Sequence, residues 1–225
     1  HLYNPLTALW NKNKLRIDLK SYLEQSGRYL MLLDIDDLAT INLTHGRRYG
    51  DSLLKEVAEL CEKLEKTHTA YHVDHNYFAV VLNVNLEEEV RKVYERIKEV
   101  MSDKCTVTVS AVPIDKTLFY DETQLMDSVN MTLKKAKDIS GDRIEFFSAE
   151  DLNRKISSLE LLEELKKSVE NDYEGFEVYF QPQIRAGSYE IYGVEALLRY
   201  NSKTRGRIFP DEFIPILEES RLIKV

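Results

Sequence analysis

Two short apolar runs, Thr69 to Val73 and Tyr77 to Leu82, are separated by three polar residues, Asp74, His75 and Asn76. Runs this close in sequence pair as an antiparallel hairpin, because three residues suffice for a reversal and are too few for a crossover. On either side the period changes. Asp51 to Lys66 places Leu54, Val57, Ala58, Cys61 and Leu64 at helical spacing, and Leu86 to Met101 does the same with Val90, Val93, Ile97 and Val100. Tyr29 to Ile35 is a nearly continuous apolar run, the pattern of a strand covered on both faces. Thr106 to Val112 is rich in β-branched residues and reads as another strand. The order is β-α-β-β-α-β, the ferredoxin-like α+β arrangement. Flanking it, Asn11 is placed to cap a helix through Leu15, Leu19, Tyr22 and Leu23 that Gly27 ends. A last helix, Thr123 to Ser140, stops at Gly141 before a strand Ile144 to Phe147.

In that topology the first strand lies antiparallel to the third, so its C-terminal end is predicted beside the hairpin turn. Asp34 and Asp36 are therefore expected to face Asp74 to Asn76. Carboxylates converging from a strand end and a turn can hold the divalent cations used in phosphoryl and nucleotidyl transfer. Acids at strand ends are equally ordinary solvated groups, and the pattern leaves both uses open. A separate site from His72, Asp74 and His75 has less behind it: the two histidines lie three apart across a strand and its turn, a spacing that does not make them converge.

The 31 basic and 39 acidic side chains give a net charge of -8, which argues against a nucleic-acid surface and suits a cytoplasmic protein. Cys61 and Cys105 form no metal or disulfide spacing and read as small buried hydrophobes. No apolar run reaches the roughly 18 residues that span a bilayer, so a membrane anchor is expected only in segments outside this chain.

Five stretches, NPLTALWNK, DIDDLATIN, HGRRYGD, the hairpin frame of Tyr71, Val73, Phe78, Val80 and Leu82, and TLKKAKDISGDR, together resemble the GGDEF family of diguanylate cyclases from Asn4 to Phe147. The resemblance implies a nucleotidyl cyclase palm with a sheet of five or more strands, mostly antiparallel and flanked by helices. It further implies that Asp34 stands at a metal-ligand position, Asn42 and Asp51 at guanine contacts, and Lys137 at a phosphate contact, with Arg143 as a second basic one. Each also has a plain use: Asn42 in a turn, Asp51 as an N-cap, Lys137 on a solvated helix face. The departures fall on the turn. Where the family carries Gly-Gly-Asp-Glu-Phe, this chain has Asp74, His75, Asn76, Tyr77 and Phe78. Two glycines allow close approach of phosphates, so Asp74 and His75 add bulk and Asp74 adds a repelling charge. Asn76 is a neutral, weaker ligand than an acid, Tyr77 replaces a glutamate, Ala39 a lysine and Leu43 an aspartate. Glu65 and His68 stand near the positions of the family's product-inhibition arginine and aspartate, so feedback binding on this domain is not expected.

Leu152 to Val169 is a charged amphipathic pattern carrying Ile156, Leu159, Leu162 and Leu165. After Gly175, Gln181-Pro182, Glu195-Ala196-Leu197-Leu198-Arg199, Phe213-Ile214-Pro215 and Glu218-Glu219 together resemble the beginning of an EAL domain, the cyclic di-GMP phosphodiesterase. The resemblance implies that Glu195 is a metal ligand, that Gln181 and Arg199 help hold cyclic di-GMP, and that these are the first strands of a TIM-type barrel. Such a barrel takes roughly 250 residues, so the remaining ligands and the base are expected beyond Val225.

The domains are thus expected at 1–150 (degenerate GGDEF), 151–174 (connector helix) and 175–225 (start of an EAL domain). The expected function is a bacterial cyclic di-GMP signalling protein whose inactive GGDEF domain regulates an attached phosphodiesterase that hydrolyses cyclic di-GMP to pGpG. The partners are GTP or another guanine nucleotide, cyclic di-GMP through the complete EAL domain, a second copy as a homodimer, and no nucleic acid. Mg or Mn belongs to the EAL site and is weak or absent in the first domain. The alternative is an interaction scaffold that binds no nucleotide; an active diguanylate cyclase is the reading these residues support least.

Overall fold

The computed structural model describes residues 2–25, 27–138 and 143–223, so the expected helix end at Ser140 and Gly141 lies outside the described residues. The chain divides into two compact units, one up to Ala149 and one from Glu150.

The first unit runs β1 (Trp10–Asn11), α1 (Lys12–Leu23), β2 (Arg28–Ile35), α2 (Leu38–His45), α3 (Arg47–Lys63), β3 (Thr67–Asp74), β4 (Tyr77–Leu82), α4 (Glu87–Met101), β5 (Val107–Ile114), α5 (Glu122–Lys137) and β6 (Arg143–Phe146). Its sheet has the order β1-β3-β4-β2-β5-β6, with antiparallel pairs at the centre and a parallel pair at each edge. The ferredoxin-like core is therefore present, with β2 between β4 and β5.

Alternation along β2 builds two cores, because successive side chains leave opposite faces of a sheet. Met31, Leu33 and Ile35 join Phe78, Val80 and Leu82 under Leu54, Val57, Val90 and Ile97 of α3 and α4. Leu30 and Leu32 join Ala79, Val81 and Val112 against Leu15, Leu19, Leu125 and Val129 of α1 and α5. Asn11 caps α1, its side chain accepting from the backbone N–H groups of Asn13 (3.0 Å) and Lys14 (3.2 Å). Burial raises the Cys61 thiol to about 12, which keeps it an inert hydrophobe. Cys105 is only half-buried, against the same core.

Three local readings change. The hairpin turn is shorter than expected: Asp74 pairs with Tyr77, a bulge between His72 and Asp74 absorbs one residue, and only His75 and Asn76 cross over. The Asp74 carboxylate stabilises the reversal by accepting from the His75 N–H at 2.8 Å. The helix expected from Asp51 starts earlier, at Arg47, because Gly46 supplies a backbone with φ 88°. Asp51 is thus inside α3 and not its N-cap. Ahead of it, α2 carries only a short apolar signal: Leu38 and Ile41 pack half-buried against the first core, and none of its residues is fully buried.

The second unit runs α6 (Ala149–Glu170), β7 (Phe176–Ile184), β8 (Ile191–Ser202), β9 (Gly206–Ile208) and α7 (Pro210–Glu219). Its strands form an antiparallel sheet over a small core of Leu161, Leu165, Tyr200, Ile208, Phe213 and Leu217. Glu164 ties α6 to β8 by accepting from the Ser202 hydroxyl and the Lys203 N–H, both at 2.9 Å. Pro210 opens α7 with Asp211 and Glu212 in the first turn. Among the described residues no helix is long and apolar enough to cross a membrane.

Phe78, fully buried and stacked on His72 at 4.3 Å, anchors the hairpin to the α3 and α4 core. Phe78→Ala is expected to remove about 3–5 kcal/mol from the stability of the first unit. The single tryptophan, Trp10, lies in that unit and reports its urea unfolding. A loss below about 1 kcal/mol would contradict this role.

Candidate functional site

Asp34 sits at the C-terminal end of β2, opposite Tyr77. As an even-numbered position it belongs to the face of Leu30 and Leu32, the face that α5 covers. Its carboxylate is fully buried. One oxygen accepts from the Asn76 side-chain amide, and the other pairs with the Lys137 ammonium at the end of α5. Asn76 Nδ2 also donates to the Ile35 carbonyl at 3.2 Å. Carboxylate and carbonyl are both acceptors only, so the amide must turn its NH₂ to them. Lys137 Nζ donates to the Tyr77 hydroxyl at 3.1 Å and lies 5.2 Å from the ring centroid. Partial burial lowers the Lys137 pKa.

Asp36 was expected to face the turn as well. The chain leaves the sheet after Ile35 with the Asp36 N–H donating to the Thr106 carbonyl at 3.1 Å, which places Asp36 beside β5. Its carboxylate accepts from the hydroxyls of Thr106 (2.8 Å) and Thr108 (3.0 Å). Hard cations need converging oxygen lone pairs. One Asp34 oxygen is held by the Asn76 amide and the other, without a hydrogen bond, by the Lys137 ammonium charge, and among the described residues no three His, Cys, Asp or Glu side chains gather as a metal shell. The residues at this corner do not fit a divalent cation.

A cavity of about 960 Å³ lies beside the turn. Asn42, Asp51, Asp74, His75 and Asn76 all line it, together with Ala39, Lys12 and Arg47. Asn42 projects from α2 into a hollow left by Gly50 of α3, where a β-carbon would collide with the Asn42 amide. Helix propensity alone favours alanine over glycine by about 1 kcal/mol, so the missing side chain at Gly50 makes room for Asn42. A second depression of about 390 Å³ shares Lys12, Val73 and Asp74 with the first and adds Tyr77, Lys134 and Lys137. Lys137 therefore stands beside the cavity of Asn42 and Asp51. Arg143 lines neither; its guanidinium is engaged by Glu145, with Nε at 2.9 Å.

The N-terminal segment closes one side of the large cavity with Tyr3 to Leu6. It is tied to the turn through His72, which is buried. His72 Nε2 lies 3.3 Å from the His75 carbonyl, which can only accept, so Nε2 carries the proton and Nδ1 accepts from the Thr7 hydroxyl at 3.1 Å. Burial lowers the His72 pKa, against the raising effect of the His75 and Asp74 backbone. The histidine is a clamp between segment and turn.

In the second unit Gln181 pairs directly with Glu195, and Glu177 with Arg199. Opposed residues and those two apart share a face, so Gln181, Glu195 and Arg199 lie on one side of the β7–β8 hairpin. Glu195 and Glu177 bring two carboxylates to that side. The sequence reading missed Lys12, Lys134, Arg47, the Thr7–His72 clamp and the purpose of Gly50. Lys12, directly after the Asn11 cap, had a readable position; the others depend on α2 and on pairings distant in sequence.

Comparison with known proteins places this geometry in context. The family model for the diguanylate cyclase GGDEF domain matches residues 1–140, and that for the EAL domain matches 162–224. The cyclic di-GMP phosphodiesterase NbdA of Pseudomonas aeruginosa is 25% identical over 235 residues, 98% of this chain and 30% of the relative. The bifunctional diguanylate cyclase/cyclic di-GMP phosphodiesterase MucR of the same organism is 25% identical over 236 residues, covering 99% and 34%. The chain thus spans about a third of the length of these curated relatives. A solved S helix-GGDEF-EAL structure of Vibrio cholerae LapD bound to c-di-GMP shares the fold over 97% of this chain and 53% of that one, at 18% identity and TM-score 0.60.

Two outcomes follow from the clamp and the hollow. The unfolded state binds more protons at His72 than the folded state below its ordinary pKa of about 6.5, so stability falls as pH drops through that value and levels off below the folded pKa. His72→Gln is expected to flatten the fall in urea midpoint between about pH 7 and pH 5; an unchanged slope would contradict the assignment. Gly50→Ala is expected to change stability by less than about 1 kcal/mol while moving the Asn42 amide resonances in NMR spectra. Unmoved resonances would refute the hollow.

Proposed function

The chain belongs to the GGDEF family and runs on into the first part of an EAL domain, and from that premise we propose that its first unit is a catalytically silent, guanine-nucleotide-binding regulator of a cyclic di-GMP phosphodiesterase. The observation that carries this reading is the union of Asn42 and Asp51 in one cavity with a turn that lacks the acids of phosphoryl transfer. An amide and a carboxylate can bond the donor and acceptor edge of guanine. Asn76, its NH₂ turned to Asp34 and the Ile35 carbonyl, and Tyr77 supply neither an anionic metal ligand nor a carboxylate base. The names of the relatives do not decide between synthesis and hydrolysis, since one is a phosphodiesterase and another bifunctional; the turn favours the loss of synthesis.

Hydrolysis of cyclic di-GMP to pGpG belongs, on this proposal, to the complete protein. Glu195 supplies one ligand for Mg or Mn there, and Gln181 and Arg199 on the same hairpin face contact the dinucleotide. Arginine suits a phosphate through paired N–H donors. On this proposal residues 1–150 sense, 151–174 connect, and 175–225 begin the hydrolase.

One observation favours a second reading, that of a dimerising scaffold without a nucleotide: Asp74 lines both depressions and repels phosphate. Calorimetry on residues 1–225 separates the two. GTP is expected to bind at sub-millimolar concentration, and Asn42→Ala to weaken it by about tenfold or more. Absence of heat at millimolar GTP would leave the scaffold.

A further inference from the structure

The corner at Asp34 is electrically complete without a metal. A fully buried carboxylate ends the central strand; one oxygen accepts from the Asn76 amide, and the other, which accepts no hydrogen bond, is matched by the charge of Lys137 alone. Asn76 cannot offer its oxygen to the same point, because its NH₂ is held by two acceptors, Asp34 and the Ile35 carbonyl. Lys137 brings one positive charge against the one negative charge of Asp34, and Tyr77 holds the ammonium by its hydroxyl and its ring face. A divalent cation here would have to displace that ammonium and rotate the amide. It would then carry two positive charges beside an expelled third.

We infer that Lys137 takes the electrostatic place of a divalent cation in this domain, so that its nucleotide ligand is the metal-free polyphosphate. The first half stands on the Asp34 cluster alone; the second rests on the nucleotide reading proposed above. The phosphates of such a ligand meet ammonium groups in the smaller depression, where Lys12, Lys134 and Lys137 stand against the single carboxylate of Asp74. Lys137 serves both needs, since its side chain is 40% exposed while that of Asp34 is 1% exposed. Its ammonium closes the buried side of the site and faces solvent on the other. Lysine binds phosphate as a compact charge with three donors, without the geometric demands of Mg²⁺.

The test uses Mn²⁺ alone, titrated into residues 1–225 and followed by the electron paramagnetic resonance of the free ion. The wild type is expected to show no saturable site up to millimolar Mn²⁺. Asn76→Asp, which adds an acid and leaves Lys137 in place, is expected to bind Mn²⁺ about tenfold or more tightly than the wild type. Lys137→Met leaves Asp34 without its counter-ion, so its melting temperature is expected to fall and to be partly restored by Mn²⁺. If that variant does not fold, Asn76→Asp carries the comparison. Saturable binding to the wild type below millimolar Mn²⁺, abolished by Asp34→Asn, would overturn the inference. A parallel titration with GTP is expected to give the same Kd in EDTA as in Mg²⁺ within about threefold, and binding tighter by more than about tenfold in Mg²⁺ would overturn the nucleotide half. Absence of GTP binding in both buffers would sink the nucleotide reading, while the Mn²⁺ titration still decides the metal half.

Discussion

The buried carboxylate of Asp34 is the constraint on which the first unit turns. A charge withdrawn from water must be compensated where it lies, and removing one member of a buried pair costs about 3–5 kcal/mol. The figure is smaller here, because the Lys137 side chain is 40% exposed. Compensation links three elements: β2 through Asp34, the hairpin tip through Asn76, and the end of α5 through Lys137. With those fixed, β4 is held in register with Tyr77 opposite Asp34, and Phe78 falls into the opposite core. The turn is thus a structural keystone whatever its chemistry.

Around this keystone the site falls into two parts. On one side Asn42 and Asp51 line a roomy cavity, with Gly50 left bare behind Asn42. On the other, the corner that would hold metal and activate a phosphoryl group carries Asn76 and Tyr77, closed by a lysine. The absence of acids at Asn76 and Tyr77 and the retention of polar groups in the cavity are separable changes. A domain altered in this way is suited to recognising a nucleotide and poorly equipped to transform one, which is the reading proposed above.

Much of this was legible in the sequence, for identifiable reasons. The apolar run of β2 and the period-two frame of the hairpin marked the sheet, since burial of both faces leaves a continuous apolar run and burial of one face a period of two. The position of Asp34 beside the turn followed from topology alone. What stayed hidden lacked such a pattern: α2 has only Leu38 and Ile41 half-buried on the core, β1 has two residues, and the bulge at Val73 shortens the turn without changing the composition of the hairpin. Asp36 could not be placed from sequence, because a backbone hydrogen bond to Thr106, 70 positions away, decides its surroundings. The Asp34–Lys137 pair, by contrast, was within reach: alternation assigns Asp34 to the α5 face, and Lys137 ends α5.

The second unit shows the opposite condition, a hairpin with apolar residues open on both sides. Val178 and Phe180 are 54% and 67% exposed, and Tyr179 between them 48%. Its polar residues Gln181, Glu195 and Arg199 share one face, whereas the first unit has already enclosed its own charges. The central claim, that the first unit recognises a nucleotide without transforming it, is most directly tested by prolonged incubation of residues 1–225 with GTP and Mg²⁺ or Mn²⁺ and chromatographic analysis of the products. The account predicts GTP recovered unchanged and no cyclic di-GMP. Accumulation of cyclic di-GMP with repeated turnover would contradict it.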